Sequence, residues 1–369
     1  MNLARRDFIK KAAATTLAAA ASRPLWAQSS QKITVAIVGA AHIHAPGYLN
    51  FLHSRKDVVI KYVWDHDAAR AERWAKSTDA QVAPDLKSIW NDADIRAVFI
   101  LSETNLHHDL VIAAAKAGKD LFVEKPLGVG GAESREMAAA IEEAKVLFTT
   151  GYFMRSDPKH LFLKEEIAAG HFGKISRVQA SLCHGGALSG IFDGEYRWMA
   201  EPKIAGVGAF GDLGTHKLDI LLWLFGDIEA VTGEIHSVIQ RYPDCDESGQ
   251  ALLRFRNGIS GVLAAGWVDI ADPITLLISG TEGYAVIYQD QLYYQSKKVA
   301  GSDLHKPWAA LPPEPAGAGG HLRPLDQFLN AVGGSKNEPL VTASEAAVRV
   351  AVMEAIYEGA RERKWVGIG

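Results

Sequence analysis

The chain of 369 residues has little sulfur, holding 2 cysteines (Cys183 and Cys245) and 5 methionines. Two cysteines permit one disulfide at most, so no disulfide framework carries the fold. No partner pattern around either thiol supports a cysteine catalyst. Excess charge is also missing: charged residues make up 22% and the formal net charge is −4. The basic stripe of a nucleic-acid binder is absent. No apolar run is long enough to cross a bilayer as a stable helix, which argues against membrane insertion. What remains is a chain 48% apolar with 34 glycines, the composition of a turn-rich α/β enzyme with length for two cores.

The first 30 residues differ in kind from the rest. Arg5-Arg6-Asp7-Phe8-Ile9-Lys10-Lys11 precedes a weakly apolar, alanine-rich stretch from Ala12 to Ala21. A basic start, a short apolar middle and small residues before a cleavage point resemble a twin-arginine export signal. An amphipathic N-terminal arm is the alternative. The export reading places the protein in the periplasm.

From residue 31 to 151, strand and helix alternate. Ile33 to Val38 is a continuous apolar run ending at Gly39, the pattern of a buried parallel strand. Strands follow at 58–64, 97–101, 121–123 and 146–150, with helices at 46–54, 67–78, 106–117 and 132–144. Alternation predicts a parallel Rossmann-type sheet with helices on both faces. From 152 to 369 the rhythm changes. A helix over 158–169, a strand over 175–183 and a helix over 209–225 precede six β-like runs between 228 and 295, and Asn257-Gly258 signals a hairpin. Helices at 321–333 and 343–362 close the chain. This part predicts an α+β domain with an open, mostly antiparallel sheet.

Five constellations bear chemistry. In the turn Gly39-Ala40-Ala41-His42-Ile43-His44 only the first glycine of a dinucleotide fingerprint is kept, with Ala41 and His44 in the later places. His42-x-His44 also reads as a metal pair, but helix-terminal packing or phosphate contact is favoured and no metal is expected. Asp65, at the end of the second strand, suits a ribose and repels a 2′-phosphate, favouring NAD over NADP; a helix cap is its other reading, which Asp67 can supply. Ser102, Thr104, Asn105 and His107 follow a central strand, at the edge where such sheets bind ligands, and Asn105 and His107 can equally cap the next helix. Lys125, in Glu124-Lys125-Pro126, can stabilise a developing alkoxide or simply pair with Glu124. Asp212 and His216 share one helical face, with Asp219 a turn further on. They form either a base with its tuning acid or a satisfied buried pair.

Two stretches resemble the Gfo/Idh/MocA oxidoreductase family across nearly all of residues 32–366. One is Thr104-Asn105-x-His107 leading through Ala117-Gly118-Lys119 to Glu124-Lys125-Pro126. The other is Ala205-Gly206-Val207-Gly208 followed by Asp212-x-x-x-His216-x-x-Asp219. The resemblance implies Lys125, Asp212 and His216 as the catalytic set, with His216 as base in oxidising a secondary alcohol. It implies cofactor contacts along Gly39, Ala41, His42, Ile43, His44, Asp65, Ser102, Thr104, Asn105, His107, Glu124 and Lys125. Arg155, Tyr196, Arg197 and Trp198 join the catalytic set around the substrate. A homodimer or homotetramer through the open sheet is implied as well.

The expectation is thus an exported NAD-dependent oxidoreductase of a sugar, sugar derivative or polyol, with NADP less favoured. A glycoside hydrolase that oxidises, eliminates, hydrates and re-reduces on bound NAD is the alternative, and a sugar-binding protein with a decayed cofactor site is the third.

Overall fold

Six parallel strands form the first sheet of the computed structural model, which describes residues 32–369. The export signal expected over residues 1–30 lies outside the described residues. The strands are β1 (Ile33–Val38), β2 (Val58–Trp64), β3 (Gln81–Val82), β4 (Ala97–Ile100), β5 (Asp120–Val123) and β6 (Phe148–Thr150), in the order β3-β2-β1-β4-β5-β6. Helices α1 (Ala45–Ser54), α2 (Ala68–Ser77), α3 (Leu86–Trp90), α4 (His107–Lys116) and α5 (Gly131–Ala144) lie between them. β3 and α3 are additions to the sequence reading: β3 is two exposed residues and α3 is five, too short to carry a period. The order reverses between β1 and β4, which opens a crevice at the carboxyl ends of those strands.

Beyond β6 come α6 (Pro158–Ala168), β7 (Ile175–Cys183), α7 (Gly186–Ser189), α8 (Pro202–Ala205) and α9 (Ala209–Phe225). Strands β8 (Ile228–His236), β9 (Ser248–Phe255), β10 (Ser260–Gly266), β11 (Ile274–Gly280), β12 (Gly283–Tyr288) and β13 (Gln291–Ser296) follow, then α10 (Arg323–Val332), α11 (Ala343–Glu362) and β14 (Val366–Gly367). The second sheet runs β13-β12-β11-β7-β10-β9-β8-β14. Only β7 and β10 pair in parallel. β9 alternates buried and exposed residues, as expected of a sheet with one covered face. That face packs on α9, whose residues are all buried except Asp212 and Trp223.

The last helices return to the first sheet. Leu325, Phe328, Leu329 and Val332 of α10 share a core with α1 and β1, β4 and β5. Ala343, Ala346, Ala347 and Val350 of α11 pack on the opposite face with α4 and α5. The 152–369 segment therefore supplies part of the core of the 31–151 sheet. A capping box starts α11, with Thr342 and Glu345 each satisfying the other's backbone N–H. Among the described residues no helix is long and apolar enough to cross a membrane.

Candidate active site

The carboxyl ends of β1, β4 and β5 bring Gly39, Ser102 and Glu124–Lys125 to one edge. Gly39 has φ +75°, and a Cβ there would lie 2.5 Å from the Ser102 Cβ, so only glycine permits this turn beside β4. Ser102 serves as this packing surface. The backbone N–H groups of Ala41 and Ile43 have no acceptor among the described residues. Two free amides at the start of α1 suit a pyrophosphate, so this turn fits a dinucleotide despite the missing glycines.

Asp65 caps no helix; Asp67 does so, accepting from Ala69 and Arg70 N–H. Asp65 instead receives four donors: Ala40 N at 2.8 Å, Asp67 N at 2.9 Å, and Arg70 Nε and Nη2 at 2.7 Å each. All its lone pairs are filled. Asp65, read as suiting a ribose, is held by Arg70 here. Glu103 also holds Arg70, at 3.0 Å, and lies 3.0 Å from His66. Two acids around one guanidinium leave no free cation for a 2′-phosphate, in keeping with NAD.

His107 sits inside the edge. It is buried, with Nδ1 3.1 Å from Leu127 O and Nε2 3.3 Å from Ser102 O. Both ring nitrogens lie against carbonyls of the loops after β4 and β5, so the ring joins these two loops at the edge. Thr104 is buried beside it. Asn105 is exposed and makes no capping bond to α4.

Glu124 is fully buried. Its carboxylate accepts from the Lys125 N–H at 2.8 Å and lies 2.8 Å from His44 Nδ1. Burial opposes its ionisation, yet the two histidines and Lys125 hold its carboxyl well below the usual range. His42 is driven down to about 3, chiefly by burial, so it is neutral. His42, His44 and Glu124 offer three ligand atoms within 4.8 Å of one another, a possible metal set. Within the trio His44 Nδ1 lies on Glu124, and His42 Nδ1 accepts from the His44 N–H at 3.2 Å.

Lys125 does not form a surface pair with Glu124. It is buried, and its Nζ donates to Asp212 Oδ1 at 2.7 Å and to Asp212 O at 3.3 Å. Asp212 Oδ2 accepts from Trp267 Nε1 at 3.2 Å. Burial raises the Asp212 carboxyl, but Lys125 outweighs it and the result is about 2. The carboxylate therefore serves Lys125 rather than pairing with His216. His216 lies beside Phe153, with ring centroids 5.1 Å apart, and its buried Nδ1 has no partner. Burial first, then the Lys125 charge, hold its imidazole well below the ordinary value and keep it neutral.

The glycine at 208 makes this helix start possible. A Cβ there would lie 2.2 Å from Asp246 Oδ2, and Asp246 accepts from the Phe210 N–H at 2.8 Å. Asp246 thus anchors the first turn of α9, which carries Asp212.

The residues expected around the substrate divide. Trp198 donates to Ala41 O at 3.2 Å, joining the second domain to the cofactor turn. Arg197 lies over the Tyr242 ring at 4.8 Å, and Tyr196 is half-buried against the core. Ile43 is likewise half-buried there. Arg155 grips Asp219 through Nε and Nη2, at 2.9 and 2.6 Å, and its Nη1 lies 2.9 Å from Glu345. Arg349 holds the same Asp219 at 2.9 Å. Asp219 is buried too deeply to stand without cations, and Arg155 is committed to it. Trp267 and Arg349 went unread in the sequence. Neither belongs to a local motif, and each meets its partner only through the tertiary fold.

An alternating α/β nucleotide-binding domain joined to an antiparallel-sheet domain, with a lysine–aspartate–histidine set at the edge, defines a two-domain oxidoreductase. Residues 33–152 match the oxidoreductase family with an NAD-binding Rossmann fold, and residues 160–286 match the GFO/IDH/MocA C-terminal domain. The chain is 30% identical over 260 residues to the scyllo-inositol 2-dehydrogenase (NAD(+)) of Bacillus subtilis, covering 68% of this chain and 72% of the relative. It is 28% identical over 345 residues to the levoglucosan dehydrogenase of Pseudarthrobacter phenanthrenivorans, covering 82% and 86%. A levoglucosan dehydrogenase structure in complex with NADH and levoglucosan superposes with a TM-score of 0.73 at 26% identity, over 92% of this chain and 100% of that one. The chain belongs to the GFO/IDH/MocA oxidoreductase family.

Proposed function

We propose that this protein is an NAD-dependent dehydrogenase acting on a secondary hydroxyl of a sugar, sugar derivative or polyol. The observation that carries the reading is the buried 2.7 Å contact of Lys125 with Asp212, one helical turn from a neutral His216 with an unpartnered ring nitrogen. The inositol and levoglucosan dehydrogenases among its relatives support a polyhydroxy substrate.

Asp212 supplies the counter-charge that a buried ammonium needs, at 2.7 Å from Lys125 Nζ. Lys125 then donates a hydrogen bond to the substrate oxygen and favours it as alkoxide character develops. His216, neutral before reaction, takes the hydroxyl proton. NAD supplies the hydride acceptor when bound, with Ala41 and Ile43 N–H for its pyrophosphate. The alcohol leaves as a ketone, one hydride poorer, and the proton rests on His216. The open face of the second sheet supports self-association. The twin-arginine pattern at Arg5-Arg6 supports export, and an exported enzyme must retain its cofactor or recycle it in place.

A redox-neutral cycle on glycosides is the second reading. His44 favours it, since the Glu124 carboxylate 2.8 Å away provides a second acid–base dyad beside Lys125. Elimination of an aglycone needs such a group in addition to His216. Incubating purified protein with NAD and a panel of inositols, pyranoses and nitrophenyl glycosides tests both. Stoichiometric NADH supports the dehydrogenase. Nitrophenol release without NADH replaces it with the hydrolytic cycle.

A further inference from the structure

Immediately after His216, α9 carries a lysine that has no place in a buried helix. Lys217 is 3% exposed, and no carboxylate lies within ion-pairing distance of it among the described residues. Three of the acids near it are committed elsewhere, while Glu314 lines the same cavity as Lys217. Asp157 and Asp290 pair with Lys159, at 3.3 and 2.8 Å. Asp272 accepts from the Ser181 hydroxyl at 2.5 Å and the Cys183 N–H at 3.0 Å. Burying an ammonium without a counter-charge is costly, and at this position an apolar side chain would satisfy the core.

Lys217 lines a cavity of about 430 Å³, together with Phe153, Met154, His160, Leu182 and Arg323. His160 is buried, and its Nδ1 donates to Met154 O at 2.9 Å. That bond fixes the tautomer and leaves Nε2 as an acceptor, and Nε2 is buried with no partner. Beside the Lys159-paired Asp157 and Asp290, and Glu314 and Arg323, the cavity thus offers one cationic donor without an ion pair and one unpaired neutral acceptor. Phe153 is shared: it lines this cavity and packs its ring against His216.

We propose that this cavity is a substrate subsite for a sugar acid, with the carboxylate on Lys217 Nζ and a neighbouring hydroxyl on His160 Nε2. The inference rests on the dehydrogenase reading and narrows its substrate to aldonic or uronic acids. A carboxylate supplies the counter-charge that the fold withholds, and an adjacent hydroxyl supplies the missing donor. A neutral sugar satisfies only half of the pair.

Calorimetric titration of the NAD-loaded protein with D-glucuronate and with D-glucose tests this without relying on turnover. The wild type binds glucuronate more tightly than glucose. Lys217→Met weakens glucuronate by about tenfold to hundredfold, the range of one charge-assisted hydrogen bond, and leaves glucose unchanged. Lys217→Gln, which keeps a neutral polar head, serves if the methionine variant does not fold. Equal affinity of the wild type for both sugars, or equal loss of both in either variant, overturns the proposal. Glucuronate binding without hydride transfer would defeat the dehydrogenase reading and leave this subsite standing. NADH formation from neutral sugars, with no preference for the acid, would do the reverse.

Discussion

Replacing Lys125 with methionine keeps the volume of the side chain and removes its charge. Two losses follow from one contact. The first is catalytic: a donor aimed at developing oxyanion charge is worth about a hundredfold to a thousandfold in turnover. The second is stability. Asp212 sits at about 2, against an ordinary 3.8, a gap equal to roughly 2 kcal/mol at neutral pH. The bare attraction across 2.7 Å amounts to about 6 kcal/mol at an effective dielectric of 20, so desolvation takes back most of it. The folded value is the lower one, so the stabilisation is complete above the ordinary carboxylate value and is lost as pH falls through about 2. Without Lys125, burial acts unopposed and pushes the carboxyl above its ordinary value. Urea denaturation should therefore show Lys125→Met less stable by about 2 kcal/mol at neutral pH, with the difference closing as the solution is acidified. A variant with turnover within a few-fold of the parent, or with an unchanged urea midpoint at neutral pH, would refute the reasoning.

Other consequences follow from the same geometry. His216 is held well below the ordinary imidazole value by burial and by Lys125, so kcat/KM for oxidation should show no acid limb from His216 between about pH 6 and 8. In Lys125→Met that limb should move upward, which a pH–rate profile reads directly. Lys217 is lowered by burial from 10.5 to about 8, which costs the fold about 3 kcal/mol below that value. The cost fades as pH rises toward the ordinary lysine value, and Lys217→Met should raise the melting temperature near neutral pH, as scanning calorimetry would show. Asp219→Ala strands Arg155 and Arg349 without their shared carboxylate, and denaturant unfolding should record a loss of about 3–5 kcal/mol. Changing Asp65 and Glu103 together to serine and glutamine frees Arg70 and should raise the NADP-to-NAD ratio of kcat/KM by at least about tenfold, the worth of one charged contact.

Much of the architecture was legible because it repeats local rules. The apolar runs that became β1 and β4 are buried on both sides over most of their length, while β2 keeps Lys61 and an exposed Val59 on one face. The helix read over 209–225 is the one observed as α9, and Asn257-Gly258 does turn β9 into β10. The grouping of Lys125 with Asp212 was also legible, through two motifs far apart in the chain. What escaped was the use of each polar group. Asp212 and His216 share a helical face, yet the carboxylate turns to Lys125 and Trp267, because a buried ammonium competes more strongly than an imidazole. Arg155 stands within a few residues of the Phe153 that packs on His216, but Asp219 and Glu345 hold it away. His107 sits in a cofactor-like motif while its ring clamps two loops. Lys217 gave no signal at all, since a lysine next to a histidine in sequence says nothing about which of them lacks a partner.

The measurement that bears most directly on the central claim is a single turnover on purified protein loaded with NAD, followed by the near-ultraviolet absorbance of the reduced nicotinamide. Substrates should include levoglucosan, scyllo-inositol, D-glucose and D-glucuronate. At least one should give a burst of reduced cofactor approaching one per active site, abolished in His216→Asn and strongly slowed in Lys125→Met, while both variants still bind NAD. A burst that survives in both variants, or a protein that holds NAD but reduces it with none of these substrates and releases no aglycone from any glycoside, would contradict the assignment of Lys125, Asp212 and His216 to hydride chemistry.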